Sequence, residues 1–275
     1  GRPAELAPLT SDGEQNFQPS WSPDGRFLVY ASHGRGGLWV RTAGGGEAVQ
    51  LTRFGSHPAW SPDGRWIVFQ SDETAELAAN AVAASPPSTL WRVTPDGVRL
   101  EALTRTGSPP GGHGAPAWSP DGRWLAFTVS GRRWSQLWAV DAEGGDPWPL
   151  VTGFGLAFDP SFEPDGDLLY AAVSRDESSA LWRQPLAGRR PVGESIALMS
   201  PGSVAIRHPV RCPATGDLLY TAFALASNLW EVGIEPFSGE PRGEPRQLTF
   251  GSARHSRPMF SSDGAQIALD RWQIG

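Results

Sequence analysis

The sequence contains no lysine; all 23 of its basic residues are arginine. Schiff-base chemistry and the P-loop are excluded with it, because both need that ammonium group. Cysteine is nearly absent too. Cys212 stands alone, so no disulfide can form within the chain, and cysteine usage leaves the redox compartment open. No apolar run approaches the roughly 18 to 20 residues that span a bilayer, and no charged segment is followed by the apolar core of a signal peptide. There is no basic block, and the net charge is −6, a poor balance for gripping phosphate backbones. Nucleic acid is therefore not an expected partner. The familiar catalytic patterns G-x-S-x-G, H-E-x-x-H, G-x-G-x-x-G and the EF-hand loop are missing as well. Any active site must be assembled from several distant segments.

What the chain does have is glycine, proline and tryptophan, at 33, 26 and 13 residues. That composition suits a turn-rich protein rather than a helical one. It is also written as a repeat. "WSPDG" begins at 21, 60 and 118, "FEPDG" at 162 and "FSSDG" at 260, with a worn copy, "RCPATGD", at 211. A Leu-Trp pair follows five of these turns, beginning at Leu38, Leu90, Leu137, Leu181 and Leu229. A Leu-Thr pair or a close relative ends each unit, as at Leu51–Thr52 and Leu103–Thr104.

The turn has a mechanical reading. Proline presets φ for the second position of a type I turn, aspartate suits the third, and glycine takes the positive φ that follows. An aspartate demanded by turn geometry in copy after copy is structural, not catalytic. The flanks "RWIVFQ", "RWLAFTV" and "DLLYAAV" are each the length and composition of one strand. "STLWRVT" and "EALT" supply a third and a fourth. The turn tryptophans read as packing between units. Repeats of four short strands, 39 to 58 residues apart, read as blades of a propeller. The expectation is all-β: a six-bladed β-propeller of four-stranded antiparallel blades, one domain over residues 1–275. Its turns fall near 22–25, 61–64, 119–122, 163–166, 212–216 and 261–264. The stretch 72–87 is an insertion between strands two and three of the second blade.

"PAWSPDGRWIVF" followed by Leu-Trp and Leu-Thr resembles the repeat of TolB-like propellers, the WD-related blades of TolB and of prolyl oligopeptidase-type proteins. Similar blades form sensor halves of bacterial regulators. The resemblance covers the whole chain and speaks for the fold, since these residues build blades and carry no reaction. It favours the periplasm over the cytoplasm. Phase adds a further expectation. "AELAPLT" opens the chain with a closing strand, 4–10, which would complete the last blade. Spacing puts the sixth Leu-Trp strand just beyond Gly275, so the chain reads as a piece of a longer one.

Chemistry is expected at one mouth of the channel, on the loops that lead into each first strand. The residue before each strand-opening proline should lie nearest the axis: Gln18, His57, Ala115, Asp159, His208 and Arg257. These loops hold four of the five histidines, His57, His113, His208 and His255. Their arginines outnumber their acids, which suits an anionic partner. The expected function is a non-catalytic platform, a monomeric propeller that binds a protein, a peptide or a small anion at this mouth without a cofactor. It would serve as the sensor half of a bacterial signalling protein. The competing reading is a lyase-like enzyme with a divalent metal held by His57, His208 and Asp159.

Overall fold

The computed structural model describes residues 9–10, 14–71, 88–153, 155–173, 179–200, 205–211, 217–223, 230–234, 241–249, 254–260 and 267–272. The first meander is β1 (Asn16–Trp21), β2 (Phe27–Ser32), β3 (Leu38–Thr42) and β4 (Val49–Gln50). The second is β5 (Ser56–Trp60), β6 (Ile67–Gln70), β7 (Leu90–Val93) and β8 (Leu100–Ala102). The third is β9 (Gly112–Trp118), β10 (Trp124–Ser130), β11 (Ser135–Asp141) and β12 (Trp148–Val151). A fourth begins with β13 (Leu156–Phe162), β14 (Leu168–Val173) and β15 (Ser179–Gln184). The small hairpin of β16 (Leu186–Ala187) and β17 (Arg190–Pro191) interrupts it before β18 (Ile196–Met199) pairs with β15. Three further antiparallel pairs follow: β19 (Ala205–Arg211) with β20 (Leu218–Phe223), β21 (Trp230–Ile234) with β22 (Pro241–Gln247), and β23 (Arg254–Phe260) with β24 (Ile267–Trp272). No helix occurs among the described residues, so none there could cross a membrane.

The second strand of each meander explains the apolar runs. β6 and β10 are buried along their full lengths, because both faces pack against neighbouring meanders. A strand covered on two sides loses the alternation that a half-exposed strand would show. The core accordingly lies between meanders rather than inside one sheet. Val29, Leu38, Ile67 and Phe69 form one cluster between the first and second, and Leu125, Phe127, Val68 and Leu90 form the next. Each fully buried Leu or Phe contributes about 1.5–3 kcal/mol by leaving water.

The landmarks find their purposes in hydrogen bonds. Ser61 Oγ donates to Asp63 Oδ1 at 2.6 Å and accepts the Trp66 N–H at 2.9 Å, while Asp63 Oδ1 accepts the Arg65 N–H at 3.0 Å. The turns at Ser22 and Ser119 repeat this set. The closing threonine and the Leu-Trp leucine belong together. Thr52 Oγ1 accepts the Leu38 N–H at 3.1 Å, and Thr104 Oγ1 accepts the Leu90 N–H at 2.9 Å.

Two differences from the sequence reading stand out. "TPDG" at 94–97 builds the same turn between β7 and β8, with Thr94 in the serine's place, so the motif does not mark one location in a unit. Trp21 is 50% exposed, whereas Trp60 and Trp118 pack into the clusters between meanders. Apart from Met259, the final unit, which would cover Trp21 in a ring, has its side chains outside the described residues. Residues 4–8 of the expected N-terminal strand, the insertion 72–87, Cys212, and the turns expected at 212–216 and 261–264 also lie outside them.

Candidate functional site

The prolines do not open the strands: Pro19, Pro58, Pro116, Pro160 and Pro209 lie inside β1, β5, β9, β13 and β19, and the residues before them share an unusual backbone. Gln18, His57, Ala115, Asp159 and His208 all have positive φ, between 46° and 54°. Proline pushes its predecessor toward extended conformations, and a non-glycine residue in the left-handed region costs about 1–3 kcal/mol. Five such residues at five equivalent places make a structural device. Each sits at a β-bulge, where its strand shifts register against the next: between Phe17 and Ser20 in β1, Ser56 and Ala59 in β5, Gly114 and Ala117 in β9, Phe158 and Ser161 in β13, and Arg207 and Val210 in β19. β23 shifts in the same way between Ser256 and Met259. A bulge re-aims a side chain, and here the bulged residues converge on one cavity of about 650 Å³.

The bulged residues hold one another. Gln18 Oε1 accepts the His57 N–H at 2.8 Å, and its amide nitrogen lies 2.7 Å from His57 Nε2. With Oε1 so fixed, Gln18 Nε2 donates and His57 Nε2 accepts. Two units on, Asp159 Oδ2 accepts the His208 N–H at 3.1 Å. Between them Ala115 offers no side-chain acceptor, and its own N–H donates to Gln70 Oε1 at 3.1 Å. Each link joins one meander to the next.

Asp159 is the charged member of the wall. Its side chain is 6% exposed, and Arg207 grips it with Nε at 2.5 Å from Oδ2 and Nη2 at 3.1 Å from Oδ1. Burial pushes its pKa up, but the Arg207 guanidinium and the hydrogen bonds from Arg207 and His208 outweigh that and hold the carboxyl below its usual range. Arg207 also lies 4.7 Å from the centre of the Phe158 ring. Its charge is thus largely spent on Asp159, and the positive mouth expected from the arginine count is reduced by one.

His208 stands beside this pair, with Nε2 3.7 Å from Asp159 Oδ2. That is too long for a hydrogen bond. His57, His208 and Asp159 do not gather as ligands: among the described residues no three His, Cys, Asp or Glu side chains could hold a metal ion. His113 is in another place altogether. It is fully buried, its Nε2 donates to the Pro109 carbonyl at 2.8 Å, and its Nδ1 accepts from Thr104 Oγ1 at 2.8 Å. Burial lowers its pKa and outweighs the Pro109 carbonyl, so it serves as a neutral brace for the closing strand. The side chains of His255 and Arg257 lie outside the described residues.

No family model matches the chain. Among curated proteins it is 27% identical over 172 residues to the uncharacterized protein Atu1656 of Agrobacterium fabrum, a match covering 62% of this chain and 55% of that protein. It is 30% identical over 181 residues to the uncharacterized peptidase YuxL of Bacillus subtilis, covering 60% of this chain and 24% of that one. The chain therefore spans about half of the first relative and a quarter of the second. Among solved structures, a protein described as TolB from Agrobacterium tumefaciens superposes with a TM-score of 0.64 at 16% identity, over 97% of this chain and 85% of that one. TolB from Acinetobacter baumannii gives 0.59 at 16% identity, over 97% and 57%. The fold is that of a TolB-like propeller.

In this propeller the bulged positions were legible from the prolines that follow them. Other contributors to the mouth were not. Gln70 reaches the Ala115 N–H from β6, and Thr221 lines the cavity from β20. Phe17 joins the lining from the position before Gln18. None of them precedes a proline, so only the ladder registers bring them to the site.

Proposed function

We propose that the chain is a recognition propeller of six blades, closed by its N-terminal strand, that binds a peptide, a protein segment or a small anion at this mouth. One observation carries the reading. Polar side chains from successive meanders are aimed at one cavity by strained bulges and are held there by hydrogen bonds before any ligand arrives. Such pre-organisation reduces the ordering cost of binding. Gln18, His57 and His208 supply the polar contacts, and Ala115 leaves a gap in the wall where a ligand group can enter. Arg257 would complete the set at the sixth place. In a larger bacterial protein such a mouth would form the sensing half.

Thermal shift screening against short peptides and small carboxylates tests this. A ligand that raises the melting temperature of the parent chain, and loses that effect in Gln18→Ala/His208→Ala, is the expected result. A shift unchanged in that variant would place binding elsewhere and overturn the reading.

The likeness to YuxL favours a second reading, in which the chain is the propeller portion of a peptidase-type protein and its mouth selects substrates by access. Elemental analysis separates both from the metal enzyme. Stoichiometric zinc, manganese or iron, lost in His57→Ala/His208→Ala, would turn the assignment to a metal-dependent lyase.

A further inference from the structure

The gaps between successive meanders are equivalent through the repeat, yet they are filled differently. Between the second and third meanders, Arg92 lies over the Trp66 ring, its guanidinium carbon 4.2 Å from the ring centre. It donates to Glu101 at 3.0 and 2.9 Å, to Glu143 at 3.0 Å and to the Ala142 carbonyl at 2.7 Å. Burial works against its charge, but Glu143 and Glu101 keep its pKa above the ordinary value. Between the third and fourth meanders the filler is aromatic. Trp148 packs 5.9 Å from Trp124, and Phe162 meets the same ring edge-on at 5.0 Å.

Register makes these fillers counterparts. Arg92 pairs with Glu101 across β7 and β8, and Ala139 pairs with Trp148 across β11 and β12. The corresponding pair in the first meander is Val40 with Val49. Phe27 holds the place of Trp66 and Trp124, directly after the turn arginine. Two valines do not reach across it. Val49 is 64% exposed, and a cavity of about 400 Å³ is left with Phe27, Val40 and Trp60 on its floor. Pro95, the counterpart of Ala142, closes one side, and Asp24 and Asp63 stand among the lining residues.

We propose that this crevice is a binding site for an arginine side chain of a partner peptide, whose guanidinium stacks on Phe27 and meets Asp24 and Asp63 as Arg92 meets Trp66, Glu101 and Glu143. An apolar floor beneath carboxylates suits a side chain with an apolar stem and a cationic tip. Both carboxyls stay ionised. Hydrogen bonds from Ser22 and the Arg26 N–H lower the Asp24 pKa. Burial works against Asp63, but Ser61 and Arg65 bring it down to about 2. Arg65 already pairs with Asp63, yet its side chain is 79% exposed, and such surface pairs exchange readily. Arg26 comes only to 5.8 Å from the Phe27 ring, at the outer limit of a cation–π contact.

The test is titration of the 275-residue chain with acetylated Ala-Arg-Ala amide, followed by calorimetry and by tryptophan fluorescence. Saturable binding is expected, at least tenfold weaker in Asp24→Asn/Asp63→Asn and abolished in Val40→Arg, which supplies the missing guanidinium from within. Val49→Trp, which copies Trp148, gives a second filled crevice should Val40→Arg fail to fold. No saturable binding, or binding that survives the filled variants, overturns the proposal. So does an Ala-Phe-Ala peptide that binds as well as the arginine one, since the occupant would then be aromatic.

Discussion

The meanders carry proline in two settings, within the first strand and at the turn that follows it, and the two do opposite things. At the turn, Pro23, Pro62 and Pro120 occupy the position whose φ proline already prefers, and a glycine takes the positive φ that follows: Gly25 at 69°, Gly64 at 74° and Gly122 at 68°. Sequence and conformation agree there. At the mouth, Pro19, Pro58, Pro116, Pro160 and Pro209 follow residues forced into the left-handed region without being glycine. Sequence and conformation conflict there. A repeat that tolerates the same strain at five places gains something from it. The bulge turns each side chain toward the cavity, and the neighbouring meander accepts an N–H that the ladder cannot use. The turn end makes the unit fold, and the mouth end makes it recognise.

Breaking the contrast at the mouth should have the largest effect. Asp159→Ala leaves Arg207, whose side chain is 11% exposed, without its counter-charge. It also leaves the His208 N–H without its acceptor. Loss of one partner of a buried pair costs about 3–5 kcal/mol, read as a lower urea midpoint at pH 7. The pH dependence follows in sign. A folded-state pKa held below the ordinary carboxylate value means that the pair contributes fully above that value, and the contribution drains as pH falls through the folded-state pKa. Asp159→Asn should flatten the acid limb of the stability curve. Asp63→Asn at the turn should cost under about 1 kcal/mol, because the Asp63–Arg65 pair is solvent-screened.

The contrast sharpens when glycine is exchanged in both directions. Gly64→Ala meets no steric obstacle, since the nearest atom to an added Cβ is Pro23 Cδ at 3.8 Å. Only the positive φ opposes it, at about 1–2 kcal/mol. Ala115→Gly removes the same kind of strain at the mouth, offset by about 0.5–1 kcal/mol of extra chain entropy in the unfolded state. It should be neutral or stabilising by about 1 kcal/mol. Gly64→Ala should therefore lower the melting temperature, and Ala115→Gly should leave it unchanged or raise it. A clear loss in Ala115→Gly would mean that the bulge stores no strain.

Most of the architecture was legible because its cause is local. Ser-Pro-Asp-Gly dictates a turn by its own hydrogen bonds, and the Leu-Trp and Leu-Thr pairs dictate a hairpin by theirs. The mouth was half legible. The prolines marked Gln18, His57, Asp159 and His208, but nothing in the sequence told that His113, a few residues from Ala115, turns into the core to meet Thr104 and the Pro109 carbonyl. Two residues along β9, across the start of its bulge, separate core from cavity. The metal reading failed to find its geometry for a related reason. His57 and His208 occupy equivalent positions in units that are not adjacent, so the repeat itself keeps them apart and gives each a different partner. The Val40 crevice was not legible at all, because it exists only in comparison with what Arg92 and Trp148 do in the gaps beside it.

A further small effect should come from the turn hydroxyl. In Ser61→Ala the Trp66 N–H loses its acceptor and Asp63 loses its donor, while the backbone bond from the Ser61 N–H to the Trp66 carbonyl remains at 2.8 Å. Trp66 is only partly buried, so water can take the place of the hydroxyl. The cost should be about 1 kcal/mol. Asp63 reports the change more sharply than stability does. Ser61 is among the groups that bring its pKa down to about 2, so removal of the hydroxyl should raise that pKa toward the ordinary carboxylate value in an NMR titration of the side-chain carboxyl. The stability difference between parent and variant should be greatest above pH 4 and should shrink as pH falls through the parent's Asp63 pKa of about 2, below which Asp63 becomes protonated in both. A difference that does not change with pH would show that the hydroxyl acts through Trp66 alone, and that the aspartate contributes its backbone geometry and nothing of its charge.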